Sequence, residues 1–156
     1  MTPEAVPEGF EPLPSGLGYT DTLQPCYRRL RDDNIAFGLV VQKQHSNTMG
    51  ICHGGVLMCL ADIAAASAAN LAKGVRAGSP TVNLTVDFVS AARMGQWIEV
   101  EIEGAHARRL FGFSRGVIRN RDGVVARFSG TFYFPPHEGM WKEGRTSAGA
   151  LQGIGE

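Results

Sequence analysis

The sequence has few cysteines and none of the spacings that pair them. Its three cysteines, Cys26, Cys52 and Cys59, are odd in number and form no CxxC motif. A disulfide framework is therefore not expected, because disulfide-stapled domains carry an even set of cysteines at close spacings. The cysteine content is typical of a protein kept in a reducing compartment, and the predicted location is cytoplasmic.

An excess of charge of one sign is also absent. The 15 lysines and arginines equal the 15 aspartates and glutamates over 156 residues. Proteins that grip nucleic acid or an acidic membrane surface need a surplus of basic side chains. The sequence therefore predicts no nucleic-acid partner and no membrane-surface partner.

The sequence lacks an uninterrupted apolar run of membrane-spanning character. The longest run, from about 56 to 69, is interrupted by Asp62 and consists largely of alanine, which disfavours a bilayer-spanning helix. Residues 1–16 contain four prolines and three glutamates. They lack a basic start followed by an apolar segment, so they do not resemble a signal peptide. We expect a soluble protein.

The length fits one domain with a core of its own. Residues 1–18, with prolines at four positions, predict an extended N-terminal arm that is ordered only where Phe10 and Leu13 pack on something. Residues 19–136 form the predicted single domain. Residues 137–156 are rich in glycine without periodicity and predict a flexible C-terminal tail.

Hydrophobic periodicity predicts the element order. Residues 21–32 favour a short helix with Leu23, Tyr27 and Leu30 on one face. A strand is predicted over 34–42, and a long, mostly apolar helix from about His53 to Lys73 that stops at Gly74. Four strands follow, at 79–91, 97–109, 110–121 and 124–135, with a hairpin turn at Asp122-Gly123, and they are predicted to form one antiparallel meander.

This order predicts an α+β protein, with an antiparallel sheet wrapped around one long central helix. The edge and the face that one helix leaves uncovered favour pairing of identical subunits. Asp62 is the charge that interrupts the helix. A carboxylate among apolar residues is costly to desolvate, so Asp62 is the first candidate for a functional group.

The stretch around the helix start carries a family resemblance. Its pattern is N-x-x-G-x-x-H-G-G with an aspartate nine residues after the histidine, formed by Asn47, Gly50, His53, Gly54, Gly55, Leu60, Ala61 and Asp62. Together with TVNLTVDFVSAARMGQWIEVE after the helix, it resembles the hotdog-fold acyl-CoA thioesterases. The branch it resembles is the phenylacetate-pathway type, which includes Arthrobacter-type 4-hydroxybenzoyl-CoA thioesterases and mammalian thioesterase superfamily member proteins.

The resemblance implies a hotdog fold and hydrolysis of an aryl- or medium-chain acyl-CoA without a metal or an organic cofactor, coenzyme A being part of the substrate. It implies a homodimer with sites across the interface, in a dimer of such dimers. The implied catalytic residues are Asp62, Gly54, Asn47, His53 and a strand hydroxyl, for which Thr81 is the candidate and Ser79 the alternative. Related Arthrobacter-type enzymes carry Glu in place of Asp62, so direct attack and water activation both stay open.

The physical properties of these residues support the same assignment. The Gly54-Gly55 pair at a helix start offers bare N–H groups and the positive end of the helix dipole to a thioester carbonyl. Eight residues separate Gly54 from Asp62, about 12 Å along one helix, so these groups can meet only across two antiparallel helices of two subunits. Candidate substrate-binding residues are Gly55, Met58 beside Asp62, and Arg108, Arg109 and Arg76 for CoA phosphates.

Several alternatives accompany this interpretation. Asp62 could be satisfied by backbone or an arginine, His53 could be structural, Asn47 a turn residue, and the arginines simply solvated. A zinc site among His45, Cys52, His53 and Cys59 matches no ligand spacing, so no metal is expected. One alternative function is a hotdog dehydratase or hydratase, which is disfavoured because the helix has no Glu. Another is a non-catalytic acyl-CoA sensor, which is disfavoured because a protein that only binds acyl-CoA need not keep Asp62.

Overall fold

The computed structural model describes residues 2–76, 78–136 and 149–154. It contains seven strands and one long helix, in the order β1 (Glu11–Pro12), β2 (Tyr27–Arg31), β3 (Asn34–Val40), α1 (Gly54–Lys73), β4 (Thr81–Phe88), β5 (Trp97–Ala107), β6 (Phe111–Asn120) and β7 (Gly123–Tyr133). Short 3-10 turns occupy Gly18–Leu23, Lys43–His45 and Gly149–Leu151. The strands form one antiparallel sheet around α1, which confirms the predicted fold class.

The strand order differs from the predicted meander at one strand. The sheet runs β1-β2-β3-β5-β6-β7-β4, so β5, β6 and β7 form the meander while β4 crosses to the far edge and pairs with β7. Local periodicity carries no information on which strand a segment pairs with. The crossing leaves β4 as an edge strand beside the helix, and this placement matters for the site.

Both ends of α1 lie where the sequence predicts them. His53 is the N-cap in extended conformation, and its side chain accepts a hydrogen bond from Gly55 N. Gly74 ends the helix in the left-handed conformation at φ 74° and donates its N–H back to Asn70 O and Leu71 O. Glycine adopts this conformation without a Cβ penalty, which explains the sharp stop.

Small residues bring the helix close to the sheet. The inner side of α1 buries Leu57, Leu60, Ala61, Ala64, Ala65, Ala68 and Ala69. A Cβ on Gly112 of β6 would lie 2.8 Å from Ala69 Cβ, so glycine on the strand and alanine on the helix are both required there. By length and composition α1 could cross a membrane, but more than half of it is buried inside the chain, as in a core helix.

The predicted helix over 21–32 is wrong. The segment forms the end of the Gly18–Leu23 turn and then β2, which pairs with β3 from Tyr27↔Gly38 to Arg31↔Asn34. Asp32 and Asp33 both have positive φ, 48° and 61°, which is the backbone of a tight hairpin turn. Pairing with the adjacent strand therefore overrides the helix-like spacing of Leu23, Tyr27 and Leu30.

The N-terminal arm and the described part of the tail both contact the domain. Leu13 is buried, and the Phe10 ring packs edge-on against Trp97 at 5.0 Å between centroids. Buried Arg28 joins the two ends, because its Nε bonds Glu11 Oε1 at 2.9 Å and its Nη1 bonds Ala150 O at 3.0 Å. The domain boundaries stay predictions: 137–148 and 155–156 lie outside the described residues, whereas 149–154 bury Leu151 and Ile154.

We expect the folded protein to lose stability at alkaline pH because it buries two thiols. Burial raises the pKa of both Cys26 and Cys52 from 9.0 to about 12, so the folded state favours their protonated form. Their stabilising contribution is complete below pH 9 and falls above it, by up to about 1.4 kcal/mol per pH unit for each thiol. Urea unfolding between pH 8 and pH 10.5 should show a shallower decline for the double variant Cys26→Ala/Cys52→Ala. Parallel declines would contradict this account.

Candidate active site

The polar loop before α1 is closed by backbone hydrogen bonds. His53 N donates to His45 O at 2.8 Å, and Cys52 N donates to Ala92 O at 2.7 Å. Asn47 folds the tip of the loop, since its Oδ1 accepts from Met49 N at 2.9 Å and from Ile51 N at 3.4 Å. The turn-residue interpretation of Asn47 is thus correct for its oxygen.

The first turn of α1 presents one backbone donor. His53 Nδ1 accepts from Gly55 N at 2.8 Å, so the Gly55 N–H is engaged and His53 acts as a cap. Within the described residues, Gly54 N has no hydrogen-bond acceptor. Gly54 N–H therefore lies at the positive end of the helix dipole with its hydrogen available to a ligand.

Asp62 lies in the middle of α1 next to the start of β4. The Thr81 hydroxyl donates to Asp62 Oδ1 at 2.7 Å. Asp62 is half-buried in the single chain, and none of the ion pairs between described residues includes it. The structure thus brings together the predicted carboxylate and the predicted hydroxyl. Because the neutral Thr81 hydroxyl bonds only Oδ1, Oδ2 of Asp62 can accept a proton or attack a carbonyl carbon.

A register shift in β4 turns the side chain of Thr81 toward the helix. Thr81 pairs with buried Phe132, and the shift between Thr81 and Asn83 lets Leu84 pair with buried Gly130. Directly paired residues of antiparallel strands share a face. Thr81 and Leu84, three positions apart, therefore both face α1, which unbroken alternation would not allow.

Met58 and Cys59 lie on α1 within one turn of Asp62. Met58 is 41% exposed, which fits its predicted place in a substrate pocket. Burial raises the pKa of the Cys59 thiol to about 11, and the nearby Asp62 carboxylate contributes to the rise. Cys59 is therefore held as a thiol, which is a poor nucleophile.

The predicted alternative hydroxyl and the arginines lie elsewhere. Ser79 donates to Asn70 Oδ1 at 2.5 Å, not to Asp62. Arg108 and Arg109 occupy the β5–β6 turn at the C-terminal end of α1, where their carbonyls accept from Lys73 Nζ. That end is about 16 Å along the helix axis from Asp62. The Arg76 guanidinium bonds Ile154 O, so none of these arginines adjoins Asp62 of its own chain.

The zinc alternative finds no geometric support. Both ring nitrogens of buried His45 are engaged, Nδ1 by Gln42 N at 3.1 Å and Nε2 by Leu23 O at 3.0 Å. These bonds fix the loop to the N-terminal turn. In the part of the chain that the structure describes, no group of three or more His, Cys, Asp or Glu side chains could hold a metal ion.

Sequence reasoning missed one neighbour of the helix start. A Cβ on Gly54 would lie 3.2 Å from Phe88 Cζ, so the aromatic ring at the end of β4 packs against Gly54. Phe88 is 54% exposed in the single chain. The signal in the sequence was its alternation with Leu84 and Val86 on one face of the strand.

Comparison with known proteins identifies the family. The sequence profile of the thioesterase superfamily matches residues 49–133. A Pseudomonas aeruginosa protein, named provisionally as an esterase, is 31% identical over 131 residues, which cover 83% of this chain and 98% of that protein. The chain belongs to the thioesterase superfamily, and its class is thioester hydrolase.

Solved structures agree on the fold. A variant of the phenylacetic acid degradation protein PaaI from Thermus thermophilus matches with a TM-score of 0.62 at 23% identity, over 70% of this chain and 93% of that chain. A thioesterase-type protein of Streptococcus pneumoniae crystallised with coenzyme A matches with a TM-score of 0.59 at 19% identity, over 69% and 84%. The predicted hotdog fold is confirmed.

Proposed function

We propose that this protein is an acyl-CoA thioesterase that hydrolyses aryl- or medium-chain acyl-CoA to the free acid and CoA. The observation that carries the proposal is the hydrogen bond from Thr81 to Asp62, which orients a carboxylate in the helix of a thioester hydrolase. The coenzyme A in the Streptococcus pneumoniae relative supports acyl-CoA as the substrate class. The reaction needs no other cofactor and no metal.

The two halves of the site are proposed to come from two subunits. Gly54 N–H and Asp62 are eight residues apart on one straight helix, about 12 Å, which exceeds the reach of a thioester carbonyl and its attacking water. Two antiparallel copies of α1 bring Gly54 of one chain beside Asp62 of the other. The exposed apolar side chains Val82 and Val89, on and just after edge strand β4, support a homodimer through this region.

In the proposed chemistry, Gly54 N–H and Asp62 have separate roles. Gly54 N–H donates to the thioester carbonyl oxygen and stabilises the negative charge that forms on it. Asp62 Oδ2 takes the proton of a water as that water adds to the carbonyl carbon, or adds to the carbon itself. The C–S bond then breaks, and the thiolate of CoA leaves and takes up a proton. In the second route, water cleaves the acyl-aspartyl anhydride.

Single-turnover hydrolysis in H₂¹⁸O distinguishes the two routes. An ¹⁶O from Asp62 in the first molecule of product acid identifies direct attack followed by opening of the anhydride at the aspartyl carbonyl, whereas water activation always delivers ¹⁸O to the acid. The Asn47 side-chain NH2 group is proposed to help place the water or the carbonyl. His53, whose Nδ1 caps the helix, is proposed to hold the Gly54-Gly55 turn in shape.

The dehydratase alternative is weaker. Such enzymes pair a catalytic histidine with a carboxylate, but His53 Nδ1 is occupied by Gly55 N, and α1 carries no Glu. The sensor alternative gives no reason for Thr81 to orient the carboxylate. Cytoplasmic location, assembly of dimers into a tetramer, and CoA-phosphate contacts by Arg108 and Arg109 remain parts of the proposal.

Replacing Thr81 with valine is expected to lower kcat by about tenfold to a hundredfold, because a hydrogen bond to a charged group is worth about 1.5–3 kcal/mol. Thr81→Ser should restore most of the activity. Thr85→Val is the matched control, since Thr85 lies on the outer face of the same strand opposite Ser129. Steady-state turnover of purified dimers measures this, and equal loss in both variants would contradict a role in the site.

The activity is tested with a panel of acyl-CoA substrates. Release of free CoA, followed by absorbance with a thiol reagent, should appear with aryl, phenylacetyl or medium-chain acyl groups. Asp62→Asn is the control that separates enzymatic from spontaneous hydrolysis. Binding of acyl-CoA without turnover by the wild type, measured by calorimetry, would favour the sensor and overturn the proposal.

A further inference from the structure

We propose that Phe88 is a positioning residue for the Gly54 N–H, and that its ring forms the apolar wall along which the thioester carbonyl reaches this donor. The inference rests on the proposed thioesterase function. It concerns a residue outside the N-x-x-G-x-x-H-G-G pattern, at the opposite end of β4 from Thr81.

The contact between ring and glycine is direct. A Cβ on Gly54 would lie 3.2 Å from Cζ, 3.5 Å from Cε1 and 3.7 Å from Cε2 of Phe88, so the tip of the ring faces the Gly54 Cα. Phe88 pairs with fully buried Ala126, which fixes the ring on the helix side of the sheet. Glycine at position 54 therefore leaves room for Phe88 as well as for the substrate.

The ring sets the surroundings of the donor. It has no hydrogen-bonding group, so it covers one side of the Gly54 peptide without competing for the N–H. Apolar atoms beside a donor keep water away, and a hydrogen bond in a drier site stabilises developing charge more strongly. Phe88 is 54% exposed in the single chain, which leaves one edge of the ring free to contact a substrate.

Strand β4 thus contacts both Asp62 and Gly54 of its own chain. Its first residue, Thr81, orients Asp62, and its last residue, Phe88, lies against Gly54. In the proposed antiparallel dimer, Asp62 and Gly54 of one chain lie in two different sites. Each copy of β4 then contributes Thr81 to one site and Phe88 to the other.

Phe88→Ala is expected to lower kcat by about tenfold or more with less change in KM, because loss of the wall misplaces the carbonyl at the reacting step. Phe88→Leu keeps apolar bulk without extending beyond the tip of the ring, so it should retain more activity than Phe88→Ala, and it serves as the test if the alanine variant is unstable. Phe113→Ala is the matched control, since Phe113 is an aromatic of similar exposure, 44%, on the outer face of the sheet.

A double-mutant cycle tests the contact itself. Gly54→Ala places a methyl group against the ring, so its cost in kcat should be clearly smaller in the Phe88→Ala background than in the wild type. An additive cycle, or a dimeric Phe88→Ala enzyme with wild-type kcat, would overturn the inference while leaving the thioesterase function intact. A wild-type protein without turnover on any acyl-CoA would overturn both.

Discussion

Asp62→Asn is expected to abolish thioester cleavage, with a loss in kcat of about 10²–10⁴-fold, the usual worth of a positioned acid–base group. The physical reason is that an amide can neither take the proton of water nor attack the carbonyl. The variant should stay folded, because the oxygen of the introduced amide can still accept the hydrogen bond that Thr81 gives to Asp62 Oδ1. Thiol release with the preferred acyl-CoA measures the effect.

The matched control is Asp87→Asn, which removes an aspartate of β4 on the outer face of the sheet, opposite Arg127. Its kcat should equal that of the wild type. Size-exclusion chromatography and circular dichroism should give the same assembly and helix content for both variants. Turnover of Asp62→Asn within a few-fold of the wild type would contradict the proposed mechanism.

Gly54→Pro is expected to cost about 10²–10³-fold in kcat beyond Gly54→Ala, the typical loss for one oxyanion donor. Proline removes the N–H but is well tolerated at the first position of a helix. The preceding residue, His53, has φ −66° and ψ 137°, which is the conformation that a residue before proline prefers. The substitution therefore deletes the donor with little change of backbone.

Gly54→Ala is the control for bulk. Both variants place a Cβ near Phe88 Cζ, where a contact of 3.2 Å requires the ring to move slightly, but the alanine variant keeps its N–H. The ratio of their kcat values therefore measures the donor and not the crowding. Equal kcat values for the two variants would exclude Gly54 N–H as the group that stabilises the oxyanion.

The long helix was predictable because its signals are local. A histidine N-cap with two glycines after it, and a glycine stop at Gly74, mark both ends within a few residues. The helical rise alone separates Gly54 from Asp62 by about 12 Å, so the two-subunit site is a prediction that needs only the sequence. The family resemblance predicts Thr81 as the hydroxyl beside Asp62, with Ser79 as the alternative because the alignment of the loop before β4 can shift by a residue or two.

Other features depend on contacts between distant segments. Residues 27–31 have an arginine-rich pattern that fits a helix or a strand, and only pairing with β3 selects the strand. The crossing of β4 to β7, and the register shift that turns Thr81 toward the helix, are set by tertiary packing. Asp62, predicted from the cost of burial, is half-buried in one chain, and its full burial would require the partner subunit.

The measurement that tests the shared site most directly uses a heterodimer of Asp62→Asn and Gly54→Pro subunits. The two chains are co-expressed with different affinity tags, and the mixed dimer is isolated by purification on both tags in turn. One of its two sites combines the intact Asp62 of the Gly54→Pro chain with the intact Gly54 of the Asp62→Asn chain. The other site carries both lesions.

This heterodimer is expected to recover about half of the wild-type turnover per dimer, although each parent homodimer is nearly inactive. The control is a heterodimer of Asp62→Asn and Thr81→Val subunits. Its more active site still lacks the Thr81 hydroxyl, so its turnover should not exceed half that of the Thr81→Val homodimer. A heterodimer of Asp62→Asn and Gly54→Pro with no more activity than its parents would contradict a site shared between subunits.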